Sequence, residues 1–158
     1  MKIKINQLFI LLPVIIIVFS SASFSQGIVL TDFKDLDFGE VFLGYSSNVQ
    51  HTDPGAAKYS FIQSTYKHQN VLITLTLPAF LTNNINTIPV TFDAAHTAWS
   101  KIDSPTGRTN FTPTASLAVR NLKKNDDMFV WLGGMITVPS NVSAGVYQNS
   151  IIVNVEFY

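Results

Sequence analysis

The sequence contains no cysteine. That excludes disulfides, thiolate metal sites and a lipid-modified cysteine behind an export signal. Charge is also scarce, with 13% of residues charged. No basic stripe is available to neutralise phosphates, which argues against nucleic acid as a partner. Beyond residue 26 no apolar residues recur at helical spacing over three turns, so helices are not expected.

Catalytic spacing is missing too. There is no G-x-S-x-G elbow around any serine. Asp37-Phe38-Gly39 matches the magnesium-holding tripeptide of protein kinases, but no Gly-rich loop, strand lysine or catalytic loop accompanies it. His51, His68 and His96 lack the helical spacing of metal ligands. Asp93 precedes His96 by three residues, close enough to touch on a turn. Asp126 and Asp127 sit beside two lysines in a polar turn and read as solvated loop charges rather than a catalytic acid pair. The chain is expected to be no enzyme and to carry no cofactor and no metal.

What is present begins with an export signal. Lys2 and Lys4 precede an apolar run from Leu8 to Phe19, and small residues follow in "SSASFSQG". The run is shorter than the roughly 20 residues of a membrane span, and it contains Pro13. Cleavage is expected after Ser25, with Ser23 as the runner-up. Residues 1–25 are thus a signal peptide and residues 26–158 one secreted domain with no membrane span. Losing two lysines from a balance of 10 basic and 10 acidic residues leaves a slight acidic excess.

Period two then recurs along the chain. Val71, Ile73, Leu75 and Leu77 alternate with Leu72, Thr74 and Thr76. Ile88, Val90 and Phe92 share a face, and Pro89 suggests a sheet edge or strand start. Leu117 and Val119 point inward while Arg120 points out. "DMFVWLGGMITVP" is broken by Gly133 and Gly134, either as a hairpin or as a bulge, and the resumed pattern favours the bulge. Phe38 and Val41 are expected on a first strand bent at Gly39 and Gly44. Turn-forming clusters such as "HTDPGAAK" and "IDSPTGRTN" separate the runs. About seven or eight strands with one apolar face each predict an all-β, antiparallel Ig-like sandwich. Phe38, Val41, Leu75, Leu77, Val90, Phe92, Leu117, Val119, Trp131, Ile151, Val153 and Val155 are expected to line its interior.

The chain closes on an alternating stretch in which Tyr147, Ile151, Val153, Val155 and Phe157 face one way. Four large apolar side chains on one strand mark it as part of the folded domain. A barrel strand in an outer membrane has the wrong parity, because stepping back from Tyr158 meets Glu156 and Asn154. Trp131 is expected in the core, and Trp99 in a loop as the candidate surface-binding aromatic.

"LDFGEV", "VFLGYSSNV" and "VWLGGMITVPSNVSAGVYQNSIIVNVEFY" resemble, in that order, a family of bacterial secreted domains of unknown function, family four-four-zero-two. The matching positions are Asp37, Phe38, Gly39, Val41, Gly133, Gly134, Thr137, Val138, Pro139, Ala144, Gly145, Tyr147 and Tyr158. The ending is also similar to the spore coat U and fimbrial subunit group, Ig-like sandwiches assembled by strand exchange, although the cysteine pair of many of those is missing here. The resemblance implies a secreted or cell-surface structural protein in the periplasm, on the surface or outside the cell. It would pair strand edges with itself or another surface subunit, through Ile28 and Leu30 at one end and Ile151, Val153, Val155 and Phe157 at the other. A surface glycan- or protein-binding module built on Trp99 is the alternative. Residues 26–33 are a short candidate donor strand, with Ile28 and Leu30 on one face and Val29 and Phe33 on the other. A self-contained monomer is favoured over strand exchange.

Overall fold

The computed structural model describes residues 27–158 except Tyr66, so the expected export signal lies outside the described residues. Strands and connecting segments make up all of this, without a helix. In chain order they are β1 Ile28–Lys34, β2 Ser46–Val49, β3 Ala57–Gln63, β4 Gln69–Thr76, β5 Phe80–Thr82 and β6 Thr87–Thr91. They continue as β7 Thr97–Ser100, β8 Thr109–Asn110, β9 Leu117–Leu122, β10 Asp127–Leu132, β11 Gly134–Thr137 and β12 Ile152–Phe157. One sheet runs β1-β3-β10-β7-β8, a second β2-β11-β6-β5, and a third β12-β4-β9. All pairings are antiparallel, and the molecule is an antiparallel β-sandwich.

There are more strands than the sequence suggests because three long ones break at one level. β10 and β11 are a single run interrupted at Gly133. Beside it, β3 pairs with β10 and β2 with β11. On its other side β7 pairs with β10 and β6 with β11. The first two sheets therefore form one bent layer. Gly133 is the pivot: its amide donates to the His96 carbonyl at 2.7 Å. A Cβ on it would stand 1.9 Å from the Val49 carbonyl oxygen. Only glycine admits that approach. The two glycines bend one run and do not make a hairpin, since β10 and β11 do not pair with each other.

The main core lies between this layer and the third sheet. Val71, Ile73, Leu75, Leu117, Val119 and Leu122 meet Ala57, Phe61, Met128, Val130 and Leu132. A second cluster of Ile88, Val90, Ile136 and Val138 sits on the second sheet, with Phe38, Val41, Phe92 and Tyr147 packed against it. The alternation read from β4, β6 and β9 matches these faces, because each strand buries one side only.

Four expectations change. Phe38 and Val41 are half-buried on the second cluster, but segment 35–43 is no strand. Gly39 and Gly44 both take positive φ, and Asp37 turns back to accept the Gly39 amide at 2.8 Å, so the extended run is broken. Trp131 is buried, yet on the outer face of its layer: it pairs with Lys58 and Ala98, while its neighbours Val130 and Leu132 face the core. Phe129 stacks on it with ring centroids 5.9 Å apart. The Arg108 guanidinium lies 3.7 Å from its ring centroid, so a loop rather than the opposite sheet buries it. Pro89 lies on β6, which has neighbours on both sides, but the β11 ladder stops at Val90 and demands no amide from the proline. Finally, Asp126 is no loose loop charge. It accepts the Lys123 amide at 2.9 Å and bonds Lys101, closing the turn before β10.

Candidate functional site

β1 ends the first sheet and β12 ends the third, and both edges lie on the same side of the sandwich. Between them runs a cleft lined by Ile28, Leu30 and Phe61 on one wall and Val153, Val155 and Phe157 on the other. A second, larger groove lies between segments 35–43 and 142–151, floored by Tyr59, Ile88, Ile136 and Val138. The lips converge where the Phe157 ring lies beside Gly27; a Cβ on Gly27 would stand 3.2 Å from it. The cleft and the groove, together termed the trough, both lie between residues 27–43 and residues 142–157.

Backbone groups along both lips are open. The Tyr158 amide donates to the Asn70 carbonyl at 3.1 Å, so in the alternation of an antiparallel ladder Val153, Val155 and Phe157 turn their amides away from β4. By the same rule, the Ser64 amide on the Gly27 carbonyl leaves the amides of Ile28 and Leu30 turned away from β3. Among the described residues neither edge has a strand partner. The residues that expose these amides also aim their side chains into the trough.

The inner face of β1 is wetter than a sandwich core should be. The register slips at Thr31, so that Phe33 pairs with Tyr59 as Leu30 pairs with Phe61. Side chains paired across a ladder share a face, and the bulge therefore brings Phe33 round to the side of Ile28 and Leu30. Strict alternation assigns it to the other side. Leu30 is 50% exposed and Phe33 61% exposed although both lie on the face of β1 that looks toward the third sheet. On β12, Val153, Val155 and Phe157 are only half-buried against the core, as is Ile151 just before the strand.

Segment 142–151 is irregular but tied down. Ser143 donates from its amide and hydroxyl to Asn86 Oδ1 at 3.1 and 2.7 Å, and Gln148 and Thr82 exchange amide bonds at 3.0 Å. The strand expected from Tyr147 onward begins only at Ile152. Charge on the trough is negative: Asp35, Asp37 and Glu40 line the wide part and Glu156 the narrow part. Burial, and then the Asp35 charge, hold the Tyr59 phenol above its ordinary value.

The other candidates fall elsewhere. Residues 26–33, the candidate donor, include β1, which is already paired along its length with β3 of its own chain. Trp99 is not in a loop; it lies on β7 opposite Val130 and packs half-buried against the main core. "TAWS" is too short for period two to show. His96 and Asp93 do meet, Nδ1 to Oδ1 at 2.7 Å, and His96 Nε2 bonds Asn48 Oδ1 at 2.7 Å. Held at both ring nitrogens, His96 laces the β6–β7 loop to β2 across the Gly133 bend. Among the described residues no group of three or more acidic or histidine side chains is gathered as a metal site would need.

Compared with family models, curated proteins and solved structures, the chain matches none of them.

Proposed function

We propose that the protein is a secreted or cell-surface structural and interaction component, fimbrial-subunit-like and without catalytic activity, that associates by strand pairing along the β1–β12 trough. One observation carries this reading: two sheet edges with outward-turned amides face each other across an apolar trough whose side chains are only partly covered. Exposed edges are sites of strand addition unless blocked, and backbone bonds to such an edge, with pockets for alternate side chains, are the physics of β-augmentation. The export signal read at residues 1–25 supports a place outside the cytoplasm.

Amide exchange tests it. The Val153, Val155 and Phe157 amides of the exported protein should exchange quickly in the monomer, although they belong to a folded sheet. They should slow when a neutral peptide of alternating Val and Thr is added. Amides already slow in the monomer and indifferent to the peptide would remove the proposal. Saturable glycan binding by a monomer, lost in a Trp99→Ala variant that keeps the wild-type fold by circular dichroism, would favour the binding-module alternative.

A further inference from the structure

We propose that the occupant of the trough is a basic extended strand from a different protein, with cationic residues outside an alternating apolar row. This rests on the strand-pairing reading above and adds the chemistry of the partner.

The charge distribution carries it. The two lips, residues 27–43 and 142–158, hold Asp32, Asp35, Asp37, Glu40 and Glu156, half of the chain's 10 acidic residues. All five are exposed. Against them the lips hold one cation, Lys34, and its ammonium donates to the Pro54 carbonyl rather than to any of the five carboxylates. Segment 142–158 has no basic residue. None of the five carboxylates makes an ion pair within the described residues. Asp37 is engaged only in its turn with the Gly39 amide. Asp32 pairs with Ser60 on the outer face, so the charge that borders the apolar floor is Asp35, Asp37 and Glu40 on one rim and Glu156 on the other.

That pattern selects among occupants. A second copy meeting this one edge to edge brings the same patch against itself, so acidic lip faces acidic lip at a cost. An acidic or neutral strand gains the backbone bonds and the apolar floor but no rim attraction. A strand with lysine or arginine at its outward positions gains all three, and its approach is steered by the field. β12 has six residues, Ile152–Phe157, and an extended partner of similar length matches it at about 3.3 Å per residue.

Three fluorescent nonapeptides with one alternating apolar row decide the matter: lysine at outward positions, glutamate there, or threonine there. Anisotropy with the mature protein is read at about 0.02 M and about 0.2 M salt. The lysine peptide should bind about tenfold or more tightly than the glutamate peptide at low salt, the gap narrowing at high salt. The triple variant Asp35→Asn, Asp37→Asn, Glu40→Gln should lose most of that preference and keep its affinity for the threonine peptide. Equal binding of all three peptides overturns the basic-partner inference and leaves strand pairing standing. Self-association that persists while no peptide binds also overturns it, since the occupant is then a second copy. If no peptide binds, the protein stays monomeric and edge exchange is unchanged, both readings fall. A scrambled lysine peptide that binds as well as the alternating one also overturns the inference, because charge alone is then being read.

Discussion

Gly133 concentrates the demands of the bent layer on one residue. Its Cβ position is filled by the Val49 carbonyl, so Gly133→Ala must push β2 and β11 apart. Overpacking typically costs about 1–3 kcal/mol, and the urea midpoint should fall accordingly. Ser60 is the opposite case. Its hydroxyl is buried without a hydrogen-bond partner among the described residues, and such a group costs about 1–3 kcal/mol. Ser60→Ala should therefore raise stability by about 1 kcal/mol in the same assay. Asp93 adds a pH response. Desolvation pushes its carboxyl up, but the His96 side chain and the Ala95 and His96 amides outweigh this and hold it below 3.8. A depressed carboxyl adds stability above its unfolded value and loses it as pH falls through the folded one. Unfolding midpoints of the wild type should drop below about pH 4 more steeply than those of Asp93→Asn. Because the Asp93 side chain is 63% exposed, the difference is expected to be small.

Among the elements, β4 and β12 pair along their length yet differ in depth. Ile73 is 1% exposed in the central strand, whereas its partner Val155 is half-buried at the edge. Ile73→Ala should cost about 2–5 kcal/mol. Val155→Ala should cost clearly less in the isolated protein, because its site is open to water and leaves no closed cavity. Once a strand occupies the trough the gap should shrink, which denaturation with and without bound peptide would reveal. The β7–β8 connection is held differently. Arg108 covers Trp131 and also donates to the His51 carbonyl. Arg108→Ala should red-shift Trp131 emission and lower stability by about 0.5–2 kcal/mol. Arg108→Lys should restore the charge without the planar stacking.

Across the molecule, the bend at Gly133 and the open trough belong to opposite sides of one design. The bent layer wraps over the second cluster, and segments 35–43 and 142–151 cover that cluster as irregular chain rather than as strands. Backbone that is not in a ladder leaves room between the lips. The result is a sandwich with an apolar cleft between its β1 and β12 edges and acidic side chains beside it.

Local patterning was enough to establish which residues share a face within a strand. Period two placed Ile73 with Leu75, Leu117 with Val119, and Val153 with Val155 and Phe157, because side chains alternate on any extended chain whatever its partners. Ile28, Leu30, Ile151, Val153, Val155 and Phe157 were the strand-pairing candidates; five of them line one cleft, and Ile151 lines the larger groove instead. Long-range packing settled the rest. Phe33 came to the face of Ile28 and Leu30 only through the bulge at Thr31, where the β1–β3 register shifts. Trp131 turned outward because β10 faces the core with Val130 and Leu132, and Arg108 reached it from a loop more than 20 residues earlier. Which sheet edges remain free depends on pairings between strands far apart in sequence, and the alternation within each strand carries no record of those pairings.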